Sequence, residues 1–125
     1  MTTPYIDRDG WADREAGLTW AEYVSAGYTE PSADFLDTAL EKATRIINRR
    51  IGFRTTNISD SSYLGWIQDL THEVANRYMA VQRNKGFEGA MFRFSPQDYL
   101  YIDERDELRR IGKIKLNRRV GRVVF

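Results

Sequence analysis

The sequence has no cysteine, a single histidine and three prolines. Without cysteine there is neither a disulfide nor a thiolate metal site, which removes the small disulfide-scaffold class. With one histidine, His72, no pair of imidazoles can hold a metal. Long apolar runs are missing as well. The longest stretch free of charge is Ser61–Gln68, far short of the roughly 20 apolar residues that a membrane span needs. Met1–Gly10 carries Asp7, Arg8 and Asp9 and no apolar h-region, so it does not read as a signal peptide. Neither a Gly-x-x-x-x-Gly-Lys run nor a Gly-x-Gly-x-x-Gly run occurs, so no phosphate cradle is signalled. No internal repeat or low-complexity tract interrupts the chain.

What is present is an ordinary globular composition, 42% hydrophobic and 30% charged in 125 residues, which fits one domain with one core. The net charge of +1 conceals a gradient. Residues 1–41 hold nine acids and two bases, residues 42–85 eight bases and three acids, and residues 86–125 nine bases and six acids. The last fourteen residues hold five bases and no acid. Such asymmetry points to polar assembly or a basic arm, or to a solvated surface with local bias.

The periodicity predicts a mainly α protein: a small helical bundle with two long packed helices and an extended or β-prone C-terminal arm. Residues 1–17 read as irregular. Thr19, with Glu22 three residues on, forms a capping box for a short helix from Trp20 to Ala26. Ser32 caps a helix from Ala33 to Ile51 that Gly52 closes. Its apolar stripe contains Leu36, Leu40, Ala43 and Ile47, with Asp34, Asp37 and Glu41 on the other side. After a polar loop, Ser59 or Asp60 starts a helix from Ser61 to Lys85, with Gly86 as its stop. Its stripe, Tyr63, Ile67, Leu70, Val74, Tyr78 and Val81, is the clearest helical repeat in the chain. Leu40, Ile47, Leu70 and Val74 are the expected centre of the core. Phe87–Phe94 reads as a short strand or loop. Ser95-Pro96-Gln97-Asp98 starts a last helical piece ending at Ile111, with Gly112 beyond it. Residues 1–112 thus form the helical domain and residues 113–125 a basic arm.

Candidate chemistry is sparse. His72-Glu73-Val74-Ala75-Asn76 begins like a helical zinc motif, but Asn76 stands where the second His is required, so His72 is expected to be an exposed surface residue. Asp7-Arg8-Asp9-Gly10 departs from a calcium loop in its Gly position and lacks the closing Glu; a turn is expected. Lys85–Phe92 matches the RNA-recognition signature at its start and final aromatic, not at Glu88, Gly89 and Ala90. Trp11, Trp20, Tyr23 and Tyr28 crowd the acidic N-terminal region, as a partner surface or as filling for short helices. No catalytic, metal or cofactor site is indicated.

One stretch carries a resemblance. Ser32-Ala33-Asp34-Phe35-Leu36 and Leu40–Gly52, then a polar loop, then Trp66–Tyr78, resemble the head–tail connector (adaptor) proteins of tailed bacteriophages over roughly residues 18–86. There a helix ends in an isoleucine-rich turn and Gly, and the next carries a Val-Ala-x-x-Tyr-like packing motif, here Val74-Ala75 and Tyr78. The resemblance implies a helical protomer that oligomerises as a ring, commonly a dodecamer, below the portal. It implies contacts with the portal protein and a tail-side neck or stopper protein, DNA passing through a channel without sequence-specific binding, no membrane and no enzyme activity. The location implied is the virion neck, assembled in the host cytoplasm. Under that reading Asp34, Asp37 and Glu41 face the channel, where like charge repels phosphate. The arm is expected to dock on the portal or a neighbouring subunit, through Lys113, Ile114, Lys115, Leu116, Arg118, Arg119, Val120, Arg122, Val123, Val124 and Phe125. The alternative is a small DNA-binding or packaging accessory protein that uses this basic tail on phosphates. A small enzyme is a third reading, and no motif supports it.

Overall fold

The computed structural model describes residues 3–52, 57–83 and 98–120, residues 115–120 as backbone alone. Five helices follow in order: α1 (Arg8–Ala16), α2 (Trp20–Ser25), α3 (Ala33–Ile51), α4 (Ser61–Arg83) and α5 (Ile102–Val120). There is no strand among the described residues. The mainly α expectation is borne out.

α3 is the central element and packs on α4, α5 and α1. It starts at Ser32, whose hydroxyl accepts from the Phe35 N–H at 3.2 Å. It ends at Gly52, in the left-handed conformation at φ 105°, whose N–H reaches the Asn48 carbonyl. Both boundaries follow from local chemistry: a side-chain acceptor for an orphan N–H, and a residue without Cβ where φ must be positive. Leu36, Leu40, Ala43 and Ile47 are buried on α3, and Ile67, Leu70 and Val74 on α4. The four residues expected at the centre, Leu40, Ile47, Leu70 and Val74, all lie in this core. Tyr63, Tyr78 and Val81 flank it, partly buried. α2 begins with the complete capping box of Thr19 and Glu22.

The N-terminal segment corrects the expectation of irregular chain. Asp7 caps α1, its carboxylate accepting from the Gly10 N–H at 2.8 Å, so Asp7-Arg8-Asp9-Gly10 is a helix start and not a free turn. Ahead of it Tyr5 is buried and tied to α3. Its N–H donates to Thr44 Oγ1 at 3.0 Å, and its hydroxyl donates to Asn48 Oδ1. That hydroxyl also accepts from the Ile58 N–H at 3.0 Å. Asn48 Nδ2 donates in turn to Asn57 Oδ1 at 2.7 Å. Thr44 and Asn48 thus sit in the core because their polar atoms have partners there.

α5 also departs from the expectation. It is described from Ile102, with the Tyr101 N–H donating to Glu104 Oε1 at 2.9 Å. It does not stop at Ile111. The helix runs through Gly112 to Val120. Gly112 is buried against the Ile51 backbone of α3, so close that a Cβ there would overlap the Ile51 carbonyl. The glycine is a close-approach residue and not a helix stop. Leu108 and Ile111 complete the α5 face of the core. Arg77 of α4 clamps this helix, donating Nη1 and Nη2 to the two Glu104 oxygens at 2.6 and 2.9 Å. Several expectations lie outside the described residues: the end of the α4 repeat at Lys85 and Gly86, the Phe87–Phe94 segment, the start at Ser95, the side chains of 115–120, and residues 121–125.

Candidate functional site

Two charged surfaces lie on α3, acidic toward its start and basic toward its end. The acidic one is a cleft of about 530 Å³ lined by Pro4, Ile6, Asp7, Arg8, Asp9, Trp20, Asp37, Leu40 and Glu41. Its centre is an ion pair. Arg8 Nε donates to Asp37 Oδ1 at 2.9 Å and Nη2 to Oδ2 at 2.7 Å, a two-point fork between α1 and α3. This hydrogen bonding holds the Asp37 carboxyl below the usual range and raises the Arg8 guanidinium. Asp37 is therefore neutralised by its own chain. Glu41 approaches Arg45 at 3.8 Å, and Asp34 is exposed. Of the three acids grouped by the sequence, the structure keeps all on one side of α3 and adds an internal cation to the middle one.

The basic surface is a cavity of about 260 Å³ lined by Lys42, Arg45, Ile46, Arg49, Arg50 and Asp98. Lys42, Arg45 and Arg49 recur at spacings of three and four, so they share a helix face. Asp98 is buried at 6% exposure. It lies 2.5 Å from Arg50 Nη2 and 3.2 Å from Arg105 Nη2. The Arg50 approach is a charge contact without hydrogen-bond geometry, and Asp98 Oδ2 has no hydrogen-bond partner among the described residues. One buried carboxylate thus serves two guanidiniums. Along the sequence, Arg45, Arg49 and Arg50 stand late in α3, where basic side chains suit the helix dipole, and nothing there marks a cavity. Asp98, more than forty residues away in the chain, could not be joined to them by any periodic pattern.

His72 is not the exposed residue expected. Its side chain is 13% accessible, and Nε2 lies 2.6 Å from Glu15 Oε2 of α1. Asn76, in the position of the missing second His, has a different task. Its Oδ1 accepts from Trp11 Nε1 at 2.8 Å, and its Nδ2 donates to Glu15 Oε2 at 2.8 Å. The cluster locks α1 onto the back of α4. It offers a metal no second imidazole, and no group of three metal-ligating side chains occurs among the described residues.

The aromatic cluster is mostly filling. Trp11 and Tyr23 are buried, in edge contact at 5.3 Å between ring centroids. Tyr28 stacks on Tyr23 at 4.3 Å but stays half-exposed. Of the arm, Lys113 is exposed and Ile114 half-buried on the continuing α5. Leu116, Arg118, Arg119, Val120, Arg122, Val123, Val124 and Phe125 present no described side chain, as is also true of Lys115. No helix among the described residues is long and apolar enough to cross a membrane. No family model, curated protein or solved structure matches the chain.

Proposed function

We propose that this chain is a structural neck component of a tailed phage or related particle. It would form a homo-oligomeric ring between the portal and the tail-side neck or stopper protein, through which DNA passes, with no enzymatic step. The observation that supports this reading is that the stretch carrying the resemblance folds as one packed pair. α3 packs on α4, and the isoleucine-rich turn and the Val74-Ala75 motif are buried in one core, leaving charged side chains outward. In this reading Asp34 and Glu41 face the channel, with Asp37 contributing less repulsion because Arg8 holds it. The residues from Lys113 onward reach the portal or a neighbouring subunit.

The test is electron microscopy of the purified chain, alone and mixed with its portal, beside the same chain lacking residues 113–125. Rings seated on the portal, lost on truncation while circular dichroism stays helical, support the proposal. A monomer that ignores the portal at all concentrations sinks it. A truncated chain that still joins the portal removes the docking role from the arm.

A further inference from the structure

We propose that the basic cavity at the end of α3 is a binding site for the phosphodiester backbone of a nucleic acid. The inference stands on the cavity alone and does not rest on the neck reading.

Lys42, Arg45, Arg49 and Arg50 surround about 260 Å³ of open space whose apolar wall is Ile46. The one carboxylate there, Asp98, is buried and already shared between Arg50 and Arg105. It orients Arg50 at the rim without cancelling the cluster. Arg45 has only the 3.8 Å approach of Glu41, and its side chain is 56% exposed. Lys42 and Arg49 are exposed and make no ion pair among the described residues. Several cations therefore face one space with a single committed anion.

The helix dipole does not account for this grouping. Its field favours cations within the last turn, which covers Arg49 and Arg50. Lys42 and Arg45 lie farther back from Ile51, and yet they fall on the face that Arg49 occupies. Arginine forks and a lysine point charge are what phosphate oxygens recognise. Spacing of three and four along a helix spreads the cations over about 10 Å, enough to meet more than one phosphate of a backbone. A single free phosphate would engage one end of the row. Contacts to phosphate position a nucleic acid without reading its sequence, so sequence-independent binding is the expected mode.

The experiment is fluorescence anisotropy of a labelled duplex of about 20 base pairs with the intact chain, from about 50 mM salt upward. The variant is Arg45→Gln with Arg49→Gln, both outside the core. The control is Arg109→Gln with Arg110→Gln, both exposed on α5. We expect the α3 double variant to weaken binding at least about tenfold and to make the slope of log affinity against log salt shallower by about 2. The α5 control should retain most of the binding, and thermal melts of both should match the parent. Absent binding by the parent chain at about 50 mM salt overturns the proposal, as does unchanged affinity and slope in the α3 variant. Calorimetry with inorganic phosphate separates the sources: phosphate bound at this cavity without DNA binding assigns it to the free ion, against the proposal. If the α3 variant alters self-association by sedimentation and leaves DNA affinity unchanged, the patch serves a second copy's acids, and the proposal fails.

Discussion

Gly112 of α5 rests on the Ile51 carbonyl of α3, closer than any side chain would allow. An alanine there gains up to about 1 kcal/mol in helix propensity. It must also push two packed helices apart, and overpacking costs about 1–3 kcal/mol or more when the neighbour is backbone. Gly112→Ala should therefore lower stability, by about 1–3 kcal/mol in urea unfolding. A neutral or stabilised variant would return Gly112 to the role of a helix stop.

Tyr5 binds the chain ahead of α1 to α3 through a hydroxyl that donates to Asn48 and accepts from the Ile58 N–H. Tyr5→Phe keeps the ring and removes both bonds, leaving a buried amide oxygen and a backbone N–H without this partner. The expected cost is about 1–3 kcal/mol. Chemical denaturation of the two proteins measures it, and equal midpoints with equal slopes would contradict the network.

The Arg8–Asp37 fork has a pH signature. Hydrogen bonding to Arg8 depresses the folded-state pKa of Asp37. The contribution is therefore present above the unfolded value, about 4, and is lost as pH falls through the lower folded value. Both side chains are substantially exposed, 40% and 49%, so the effect is small and weakened by salt. Between about pH 5 and pH 2 the parent should lose more stability than Asp37→Asn. Parallel stability–pH curves for the two would show that the fork does not anchor α1.

The two faces of α4 should differ in what they cost to truncate. Leu70→Ala empties a site that is 4% exposed and should cost about 2–5 kcal/mol. His72→Ala removes a side chain packed beside Trp11 and Glu15 at the protein's edge, and should cost less, about 1–2 kcal/mol. Under the proposed neck function, neither should prevent assembly once the variant is folded. A His72→Ala protein with an unchanged melt that fails to assemble would make His72 a contact residue instead of an anchor for α1.

The long helices were legible because their signals are local. Ser32, Gly52 and the Thr19–Glu22 box act within one turn, and the stripes of α3 and α4 repeat at the helical period. α1 was missed because its side chains are mostly polar and its buried face is narrow, Trp11 and Ala12; Asp7 as a cap was the available sign. His72 was misplaced for a related reason. A helical wheel finds the strongest apolar stripe of α4, but it does not show that a second element covers the opposite face through hydrogen bonds.

From its sequence alone the chain is determined to be mainly helical, with α3 and α4 as the packed pair and Leu40, Ile47, Leu70 and Val74 inside. Burial of periodic apolar side chains is the dominant favourable term, and its period is written along the chain. Tertiary structure decided the rest. It turned Gly112 from an apparent stop into a contact point, paired Arg8 with Asp37, buried Asp98 between Arg50 and Arg105, and set that carboxylate beside the bases of α3. Each of these joins residues distant in sequence through charge or close backbone approach, and neither interaction has a period that a linear pattern could display.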